Sequence, residues 1–451
     1  MTSSPMLQAP VNKTLKNMTL PMMFGLVMLM SFNLIDTYYV SLLGTQSLAA
    51  FSFTFPVTFM VISLAIGLGV GVSAVIAKTL GQQLKSLARQ QASVALMLSA
   101  VLIYVLALIL IVLLDPLFKA MGADSTQLAL IAQYMQPWLL GCLFIIMPMI
   151  GNSVMRASGD TKTPAKIMAL GALINALLDP LFIFGYGPVP AMGITGAAIA
   201  SVLASSISCV IVFYKLKFSY DLLGWGCAVS QMREFAKQIL SIGLPAAASN
   251  MMTPISTSIL IAMVAQHGAE AVAAFGVGSR IESIAIILVL ALSMSLPPFI
   301  SQNFGAGQLL RVRQAYTHSI SFALIWQGVV YLLLWSCADL LAGLFASDPK
   351  VIQVISLYLA IIPLTHGLVG VTILSNSSLN AIHKPMKSLS LNVMRLFVFL
   401  LPCAYLGSQL WQLKGMIIGV AFAAALSGVL AFWLMSKQLL VLEAGAKNTS
   451  Q

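Results

Sequence analysis

The sequence predicts an all-α membrane protein with twelve transmembrane helices, arranged as two pseudo-symmetric six-helix bundles around a central cavity. Three observations lead to this prediction: the composition, the number of long apolar segments, and an internal repeat. Of the 451 residues, 59% are hydrophobic and only 8% are charged, whereas ordinary soluble domains are about 25% charged. The net charge of +11 therefore indicates basic loops at a lipid bilayer, and no nucleic-acid partner is expected.

Twelve apolar segments are long enough to cross a bilayer, for which about 20 residues suffice. They are bounded by charged residues or by clusters of Gly and Pro, and we number them spans 1 to 12. They cover residues 18–42, 50–77, 91–114, 130–151, 165–186, 193–214, 239–265, 276–300, 315–338, 353–376, 389–409 and 414–436.

These spans divide the chain into three predicted parts. Residues 1–214 form an N-lobe with spans 1 to 6, and residues 239–451 form a C-lobe with spans 7 to 12. Between them, residues 215–238 are a cytoplasmic linker. Apolar residues recur in the linker at roughly helical spacing, which predicts a short amphipathic helix on the membrane surface, with an unstructured linker as the alternative.

One constant offset in residue number relates the two halves of the chain. LGTQSLAAF at 43–51 matches HGAEAVAAF at 267–275, and at the same offset Pro21 matches Pro245. Because each half contains an even number of spans, both halves have the same orientation in the membrane and are related by an axis near its normal. Eighteen Lys and Arg residues fall in the loops on the side of the N-terminus and three in the opposite loops, so both termini are predicted to be cytoplasmic.

The charged residues within the spans are the main candidates for function, because ionisable groups inside a membrane are costly and usually functional. Asp36 lies in the second half of span 1, which Pro21 opens. Asp179 lies in span 5, and Asn175 precedes it by four residues, on the same helix face. At the offset of the repeat, Asp36 falls on Leu260, and Asp179 likewise has no acidic counterpart. The repeat is therefore broken at the two carboxylates.

Both carboxylates are predicted in the outer half of the bilayer, on the order of 21–27 Å along their helices. Tyr134 and Asn152 of span 4 could add polar contacts to them. Burial and a neighbouring carboxylate both favour the protonated form of a carboxyl group. The pair can then attract a cation when ionised and release it when protonated, which is the chemistry of a proton-coupled antiporter. Sodium remains an alternative, because hard cations bind oxygen ligands.

Other polar residues have weaker functional indications. Arg280 and Glu282 open span 8 two residues apart, and a structural ion pair is favoured over a role in a substrate-binding polar network. A lone membrane histidine such as His366 is expected to be packed. The five cysteines show no disulfide or metal-ligand spacing, and no phosphate-binding loop, nucleophile–base set or cofactor motif occurs. An enzyme is therefore not expected. The cysteines are Cys142, Cys209, Cys227, Cys337 and Cys403.

Several motifs together resemble the multidrug and toxic compound extrusion (MATE) transporters, and more closely their bacterial and archaeal DinF-like subgroup. They are IDTYYVSLLGTQSLAAF at 35–51, GLGVGVSAVIAKTLGQ at 67–82, RASGDTKTP at 156–164 and NALLDPLFIFG at 175–185. The resemblance covers essentially the whole chain. It implies a two-lobed multidrug exporter of the inner (cytoplasmic) membrane, driven by a proton or sodium gradient.

The resemblance also implies roles for individual residues. The coupling site is expected to contain two carboxylates, an amide and a hydroxyl, with a bend in span 1 and further polar positions in the same lobe. These residues are Asp36, Asn175, Asp179 and Ser201 for coupling, Pro21 for the bend, and Tyr134 and Asn152 for the polar positions. Span 7 lacks the acidic residue of another subgroup, so a C-lobe sodium site is not expected.

The expected activity is export of amphipathic, mostly cationic drugs in exchange for protons by a monomer. Three alternatives remain at this point: sodium-coupled export, a lipid-linked oligosaccharide flippase, and an uncoupled channel or receptor. A flippase is expected to have a more basic interior, because it must bind phosphates.

Overall fold

The computed structural model describes residues 5–224, 226 and 228–449, except for the side chains of Pro5 and residues 446–449. These residues form helices, and their only β-pairing is an isolated bridge between Tyr186 and Val189. Spans 1 to 6 are formed by Val11–Ser41, Thr45–Gly81, Lys85–Val112, Ser125–Leu140 with Cys142–Ala157, Lys162–Phe184 and Ile194–Tyr214. Spans 7 to 11 are formed by Val229–Ala265, Ala269–Ala285 with Ile287–Gly305, Leu309–Ser336, Pro349–Ile361 with His366–Ala381, and Pro385–Val393 with Met394–Leu400.

Span 12 belongs to the last helix, Leu401–Thr449, which also completes span 11. Its backbone is non-helical at Trp411 and Gln412, so the chain reverses there and begins a new span. Ten helical stretches in the described residues are long and apolar enough to cross a membrane, and span 4 adds a pair bent by 50°. Dividing the last stretch at the kink gives twelve, which confirms the predicted all-α fold of twelve spans.

The repeat is visible in the backbone as well as in the sequence. Gly44 between spans 1 and 2 has φ 101°, and Gly268 between spans 7 and 8 has φ 103°. These two residues occupy matching positions of the repeat. Positive φ favours glycine because it has no Cβ, so the same tight turn is encoded twice.

The chain divides into two compact units. One contains residues 20–247 and the other contains residues 1–19 together with 248–451. These bounds differ from the predicted lobes 1–214 and 239–451. Spans 1 and 7 each pass from one unit to the other within three residues of a proline, Pro21 and Pro245 respectively.

Polar contacts explain why the N-terminal segment belongs with the second half of the chain. Arg311 Nη2 donates hydrogen bonds to the carbonyl oxygens of Met6 at 3.0 Å and Ala9 at 2.7 Å. Further along, the hydroxyls of Thr19 and Ser295 are hydrogen-bonded at 2.8 Å, and both residues are buried. The segment from Met6 to Thr19 is thus anchored on spans 8 and 9.

The start of span 7 lies against span 2 in the unit 20–247. Gly67 and Gly71 form a GxxxG spacing, which lets helix backbones approach closely in membranes. A Cβ on Gly71 would lie 2.5 Å from the Ile239 carbonyl oxygen and 3.0 Å from the Gly243 amide nitrogen. The two helices are therefore in backbone contact here.

The linker differs from the predicted short amphipathic helix. Span 6 continues as a π-helix, Lys215–Ser219, and the segment from Tyr220 to Ala228 is not helical where it is described, with Trp225 and Cys227 outside the described residues. From Val229 onward the chain is already in the helix of span 7. The apolar spacing of the second half of the linker is thus that of span 7.

The linker is fixed to the loops beside it. Asp221 forms ion pairs with Arg89 at 3.2 Å and Lys85 at 3.6 Å, and Arg89 Nε donates to the Leu223 carbonyl oxygen at 2.8 Å. Tyr220 donates its hydroxyl hydrogen to Asp160 at 2.5 Å. These contacts hold the linker on span 3 and on the loop between spans 4 and 5.

Candidate functional site

Asp36 of span 1 and Asp179 of span 5 meet inside the unit 20–247. Their carboxyl groups lie within hydrogen-bonding reach of each other. Asp179 is fully buried, and Asp36 is partly buried. Span 1 approaches span 5 closely at Gly25, where an added Cβ would lie 3.2 Å from the Ala165 Cα. Two carboxyl groups that are far apart in the sequence thus face each other.

The pair has few partners. Asn175 Nδ2 donates a hydrogen bond of 3.1 Å to Asp179 Oδ1. The remaining buried oxygens, Asp36 Oδ1 and Asp179 Oδ2, have no hydrogen-bond partner. None of the ion pairs in the described part of the chain involves either carboxyl group.

This arrangement does not suit two ionised carboxylates. Buried charges are normally paired or hydrogen-bonded, because the cost of removing them from water is large. Two negative charges about 4 Å apart repel by about 4 kcal/mol at an effective dielectric constant of 20. A proton shared by the pair, or a bound cation, removes this cost. Among the described residues the pair therefore has no counter-charge that would offset this cost.

Tyr134 of span 4 lies within electrostatic range of both carboxyl groups, with no hydrogen bond to either in the described part of the chain. It is buried, and its ring contacts Phe51 edge-on with centroids 5.2 Å apart and an interplanar angle of 87°. Tyr39 of span 1 contacts Phe184 of span 5, with ring centroids 6.3 Å apart, and Phe184 is 41% exposed. Aromatic pairs thus add contacts between spans 2 and 4 and between spans 1 and 5.

Ser201 of span 6 is level with the pair, although no hydrogen bond between them is found in the described part of the chain. Gly196 packs against the backbone of Phe182, and a Cβ on Gly171 would meet the Ser208 hydroxyl. This antiparallel register places Ser201 between Asn175 and Asp179 in depth. Asn152, by contrast, lies five helical turns after Tyr134, about 27 Å along the helical path. Its Oδ1 is buried without a partner, and it lies away from the carboxyl pair.

Pro21 lies within the continuous helix Val11–Ser41. Proline removes a backbone hydrogen bond from a helix interior and marks a place where the helix can bend. Pro21 is also where span 1 leaves one compact unit and enters the other. Asp36 lies about four helical turns beyond it, so a bend at Pro21 would move the carboxyl group relative to span 5.

Glu282 has partners that sequence reasoning did not identify. The Tyr358 hydroxyl donates to Glu282 Oε2 at 2.8 Å, and His366 Nε2 lies 3.5 Å from Glu282 Oε1. Arg280 is exposed, and no ion pair between Arg280 and Glu282 is found in the described residues. The expected Arg280–Glu282 pair is thus replaced by contacts with span 10. His366 is fully buried, but it packs beside a carboxylate rather than in a purely apolar core.

Arg395 of span 11 was also not identified from the sequence. Its Nε is buried without a hydrogen-bond partner. The signal was present, because Arg395 and Arg280 are the two Lys or Arg residues that lie beyond the first two positions of a predicted span.

Comparison with known proteins identifies the family. The MatE family model matches residues 21–181 and again residues 245–406, which reproduces the internal repeat. The FAD transporter of Shewanella oneidensis is 40% identical, over 96% of each chain. The multidrug export protein MepA of Staphylococcus aureus is 23% identical, over 96% of each chain. The crystal structure of the Vibrio cholerae MATE transporter VcmN in the bent form is 33% identical and has a TM-score of 0.92, covering 96% of this chain and 98% of that one.

The two matches to one model, the relatives that span the chain, and the shared two-lobed fold all agree with the resemblance found in the motifs. Members of this family are membrane transporters and not enzymes. The chain belongs to the MatE family of multidrug and toxic compound transporters.

Proposed function

We propose that this transporter exports small organic molecules in exchange for protons that bind at Asp36 and Asp179. The observation that carries the proposal is the pairing of a buried and a partly buried carboxyl group with a single amide donor and no basic partner among the described residues. Such a pair is stable only with added positive charge. A proton supplies this charge at the lowest steric cost, because it needs no set of coordinating oxygens.

The exchange follows from the two states of the pair. When it is ionised, the pair attracts a cationic substrate or a proton to the unit 20–247. Once protonated, the carboxyl groups hydrogen-bond to each other, and the attraction for the substrate is lost. Asp36 lies on the same helix as Pro21. When the carboxyl groups of Asp36 and Asp179 gain or lose a proton, the change in their contact can therefore reach the segment around Pro21, where span 1 passes into the other compact unit. Transport requires such differential stabilisation of two conformations by the bound ion.

Two substrate classes are proposed. The first is amphipathic cationic drugs, which the negative pair attracts. The second is flavin nucleotides, because a relative that is 40% identical over 96% of both chains is named as an FAD transporter. Riboflavin-type rings are amphipathic as well, so the two classes can share an apolar binding surface.

The test is efflux from proteoliposomes in which proton and sodium gradients are imposed separately. Wild-type protein is expected to export ethidium or FAD when the proton gradient is present, and adding substrate should release protons. Asp36→Asn should abolish proton-driven transport while the protein remains folded and inserted. Asp115→Asn removes an exposed carboxylate that has no partner in the described residues and is the matched control, expected to transport normally.

Each alternative gives a different result. Transport driven by a sodium gradient alone would show that sodium, and not the proton, is the coupling ion. Substrate flux that equilibrates without any gradient, with no proton release, would indicate an uncoupled channel. Scrambling of a lipid-linked oligosaccharide without drug efflux would indicate a flippase. Proton-driven efflux by Asp36→Asn at the wild-type rate would refute the proposed coupling site.

The proposed setting is the inner membrane, with both termini cytoplasmic and the monomer as the active form. Reporter fusions to each terminus that are active only in the cytoplasm test the topology. The mass of the protein in detergent, measured by light scattering, tests the monomer.

A further inference from the structure

Arg395 is a cation near the middle of the membrane. It lies ten residues after Pro385, where span 11 begins, which is about 15 Å along a helix. The apolar core of a bilayer is roughly 30 Å thick. A guanidinium group keeps its proton in proteins, so this charge cannot be removed by deprotonation. An ionised group at this depth is costly and is normally retained for function.

Nothing within the described part of the protein neutralises Arg395. Its Nε is buried and makes no hydrogen bond, and the ion pairs of the described residues do not include it. Glu282, a partly buried carboxylate of the same unit, already contacts Tyr358 and His366. Among the described residues the positive charge thus has no counter-charge.

The surface around Arg395 shows which way it faces. Ser388 and Asn392 lie seven and three residues earlier, on the same helix face, and both are buried. Met394 and Phe397 lie on the remaining circumference and are exposed apolar residues, as expected for contact with lipid, and Val398, three residues after Arg395, is exposed as well. The buried Nε of Arg395 therefore lies on the side of Ser388 and Asn392, at the border of the lipid-exposed side.

A second hydrogen-bond donor, the Asn392 amide, lies three residues before Arg395 on the same helix face. Asn376 of span 10 donates from Nδ2 to Asn392 Oδ1 at 2.9 Å, and Asn376 Oδ1 accepts from the Ser388 hydroxyl at 3.1 Å. This network fixes the orientation of the Asn392 amide and leaves its Nδ2 as a donor without an acceptor in the described structure. Arg395 and Asn392 together present only donors.

The position of Arg395 in the repeat adds to this picture. With the three-residue gap that aligns Lys162-Thr163-Pro164 with His383-Lys384-Pro385, Arg395 aligns with Ile174, next to Asn175. Asp179 aligns with Leu400, five residues further along span 11. Matching spans of the two halves thus carry opposite charges, an acid in span 5 and a cation in span 11.

We propose that Arg395, with the Nδ2 donor of Asn392, binds the anionic group of a transported organic molecule, a phosphate or a carboxylate. Guanidinium binds such groups through two parallel hydrogen bonds and is suited to dehydrated sites. The inference deepens the proposed export function and rests on it for the identity of the ligand as a substrate. It extends the substrate range from cations to organic anions, and flavin phosphates fit both the charge and the apolar surroundings.

The experiment compares FMN with riboflavin, which differ only by one phosphate. Binding is measured by flavin fluorescence with the full chain in phosphatidylcholine nanodiscs, with no ion gradient. We expect wild-type protein to prefer FMN, and Arg395→Gln to weaken FMN binding about 10–100-fold, the equivalent of a charged hydrogen-bonded contact. Riboflavin binding should be unchanged. Arg395→Lys, which keeps the charge without the planar fork, should recover part of the FMN affinity.

Arg233→Gln is the matched control, because it removes an exposed arginine at the start of span 7. It should leave the binding of both flavins unchanged. Wild-type protein without a preference for FMN, including protein that binds neither flavin, would overturn the proposal. So would equal weakening of both flavins by Arg395→Gln together with a loss of thermal stability, since Arg395 would then be a structural residue.

Anionic lipid is the other source of a phosphate at this site. Repeating the measurement with phosphatidylglycerol in the nanodiscs separates the two, because a lipid ligand would abolish the FMN preference and overturn the assignment to substrate. The binding assay contains no gradient. A failure of proton coupling would leave the FMN preference intact, so it can be distinguished from a failure of this inference.

Discussion

Replacing Tyr220 with Phe tests how the linker between the two halves is held. Asp160 Oδ2 accepts hydrogen bonds from the Tyr220 hydroxyl at 2.5 Å and from the Thr163 hydroxyl at 2.6 Å. Its Oδ1 accepts from the backbone N–H groups of Lys162 at 2.8 Å and Thr163 at 3.0 Å. The substitution removes one of these four bonds and leaves the ring in place.

The charge on Asp160 sets the size and the pH dependence of the effect. Partial burial raises the pKa of the Asp160 carboxyl, but the hydrogen bonds from Thr163, Tyr220 and Lys162 outweigh it and bring the pKa below its usual value. Burial, and then the bond to Asp160, raise the pKa of Tyr220 to about 12. A bond to a charged group contributes about 1.5–3 kcal/mol. Because both residues are half-buried, we expect about 1–2 kcal/mol here.

The assay is limited proteolysis of the linker with trypsin, which reports local opening. A loss of about 1–2 kcal/mol should accelerate cleavage by a factor of about 5–30. A carboxyl group whose pKa is lowered by folding stabilises the folded state when the pH is above its pKa in the unfolded state. This contribution is lost as the pH falls through its pKa in the folded state. Tyr220, with a raised pKa, contributes below about pH 10 and loses its contribution as pH rises through about 12.

The difference between wild type and Tyr220→Phe should therefore be constant from about pH 5 to pH 9. Thermal unfolding in detergent measures it at acid pH, where trypsin is inactive, and there the difference should shrink below about pH 4. Tyr186→Phe is the control, because Tyr186 is 80% exposed. Unchanged cleavage in Tyr220→Phe, equal acceleration in Tyr186→Phe, or a full difference persisting at pH 3 would each refute the proposed clamp.

Two further substitutions test contacts within each unit. Gly71→Ala would place a Cβ 2.5 Å from the Ile239 carbonyl oxygen, so we expect thermal unfolding to show a loss of about 1–3 kcal/mol in stability. Gly328→Ala is the control, because the added Cβ lies in open space and should not change stability. Equal stability of the two variants would show that the helices are not in backbone contact. Glu282→Gln leaves Tyr358 with a neutral acceptor and removes the carboxylate beside His366, so we expect a loss of about 1–3 kcal/mol. Arg280→Gln should change stability by less than about 0.5 kcal/mol, and a larger loss there would restore the ion pair expected from the sequence.

Much of the fold could be predicted because it depends on residues that are close together in the sequence. A membrane span needs only a sufficiently long apolar run, and all twelve runs correspond to helices in the structure. The constant offset between the halves is likewise a property of the linear sequence, and the family model matches twice with the same spacing. The boundaries of the helices were harder to predict. The second half of the linker was expected to be a separate helix, but from Val229 it is continuous with the helix of span 7, because the apolar spacing continues without a break.

Parts of the candidate site could also be anticipated. Asn175 and Asp179 are four residues apart on one helix, so their hydrogen bond follows from helix geometry alone. The carboxylates stood out because they interrupt both an apolar run and the repeat. Asn152 was grouped with Tyr134 because both lie in span 4, but they lie in the two different helices of this bent span, about 27 Å apart along its path.

The number of spans, the duplication and the presence of charged groups inside the membrane can all be read from the linear chain, because each depends on residues that are near one another or related by one fixed shift. Which charged groups meet depends instead on tertiary packing. Asp36 faces Asp179, Glu282 contacts His366 and Tyr358, and Arg395 remains without a partner within the described structure. These contacts depend on how each helix is rotated and shifted against its neighbours. Those quantities arise from the packing of many side chains at once, and no local pattern in the chain records them.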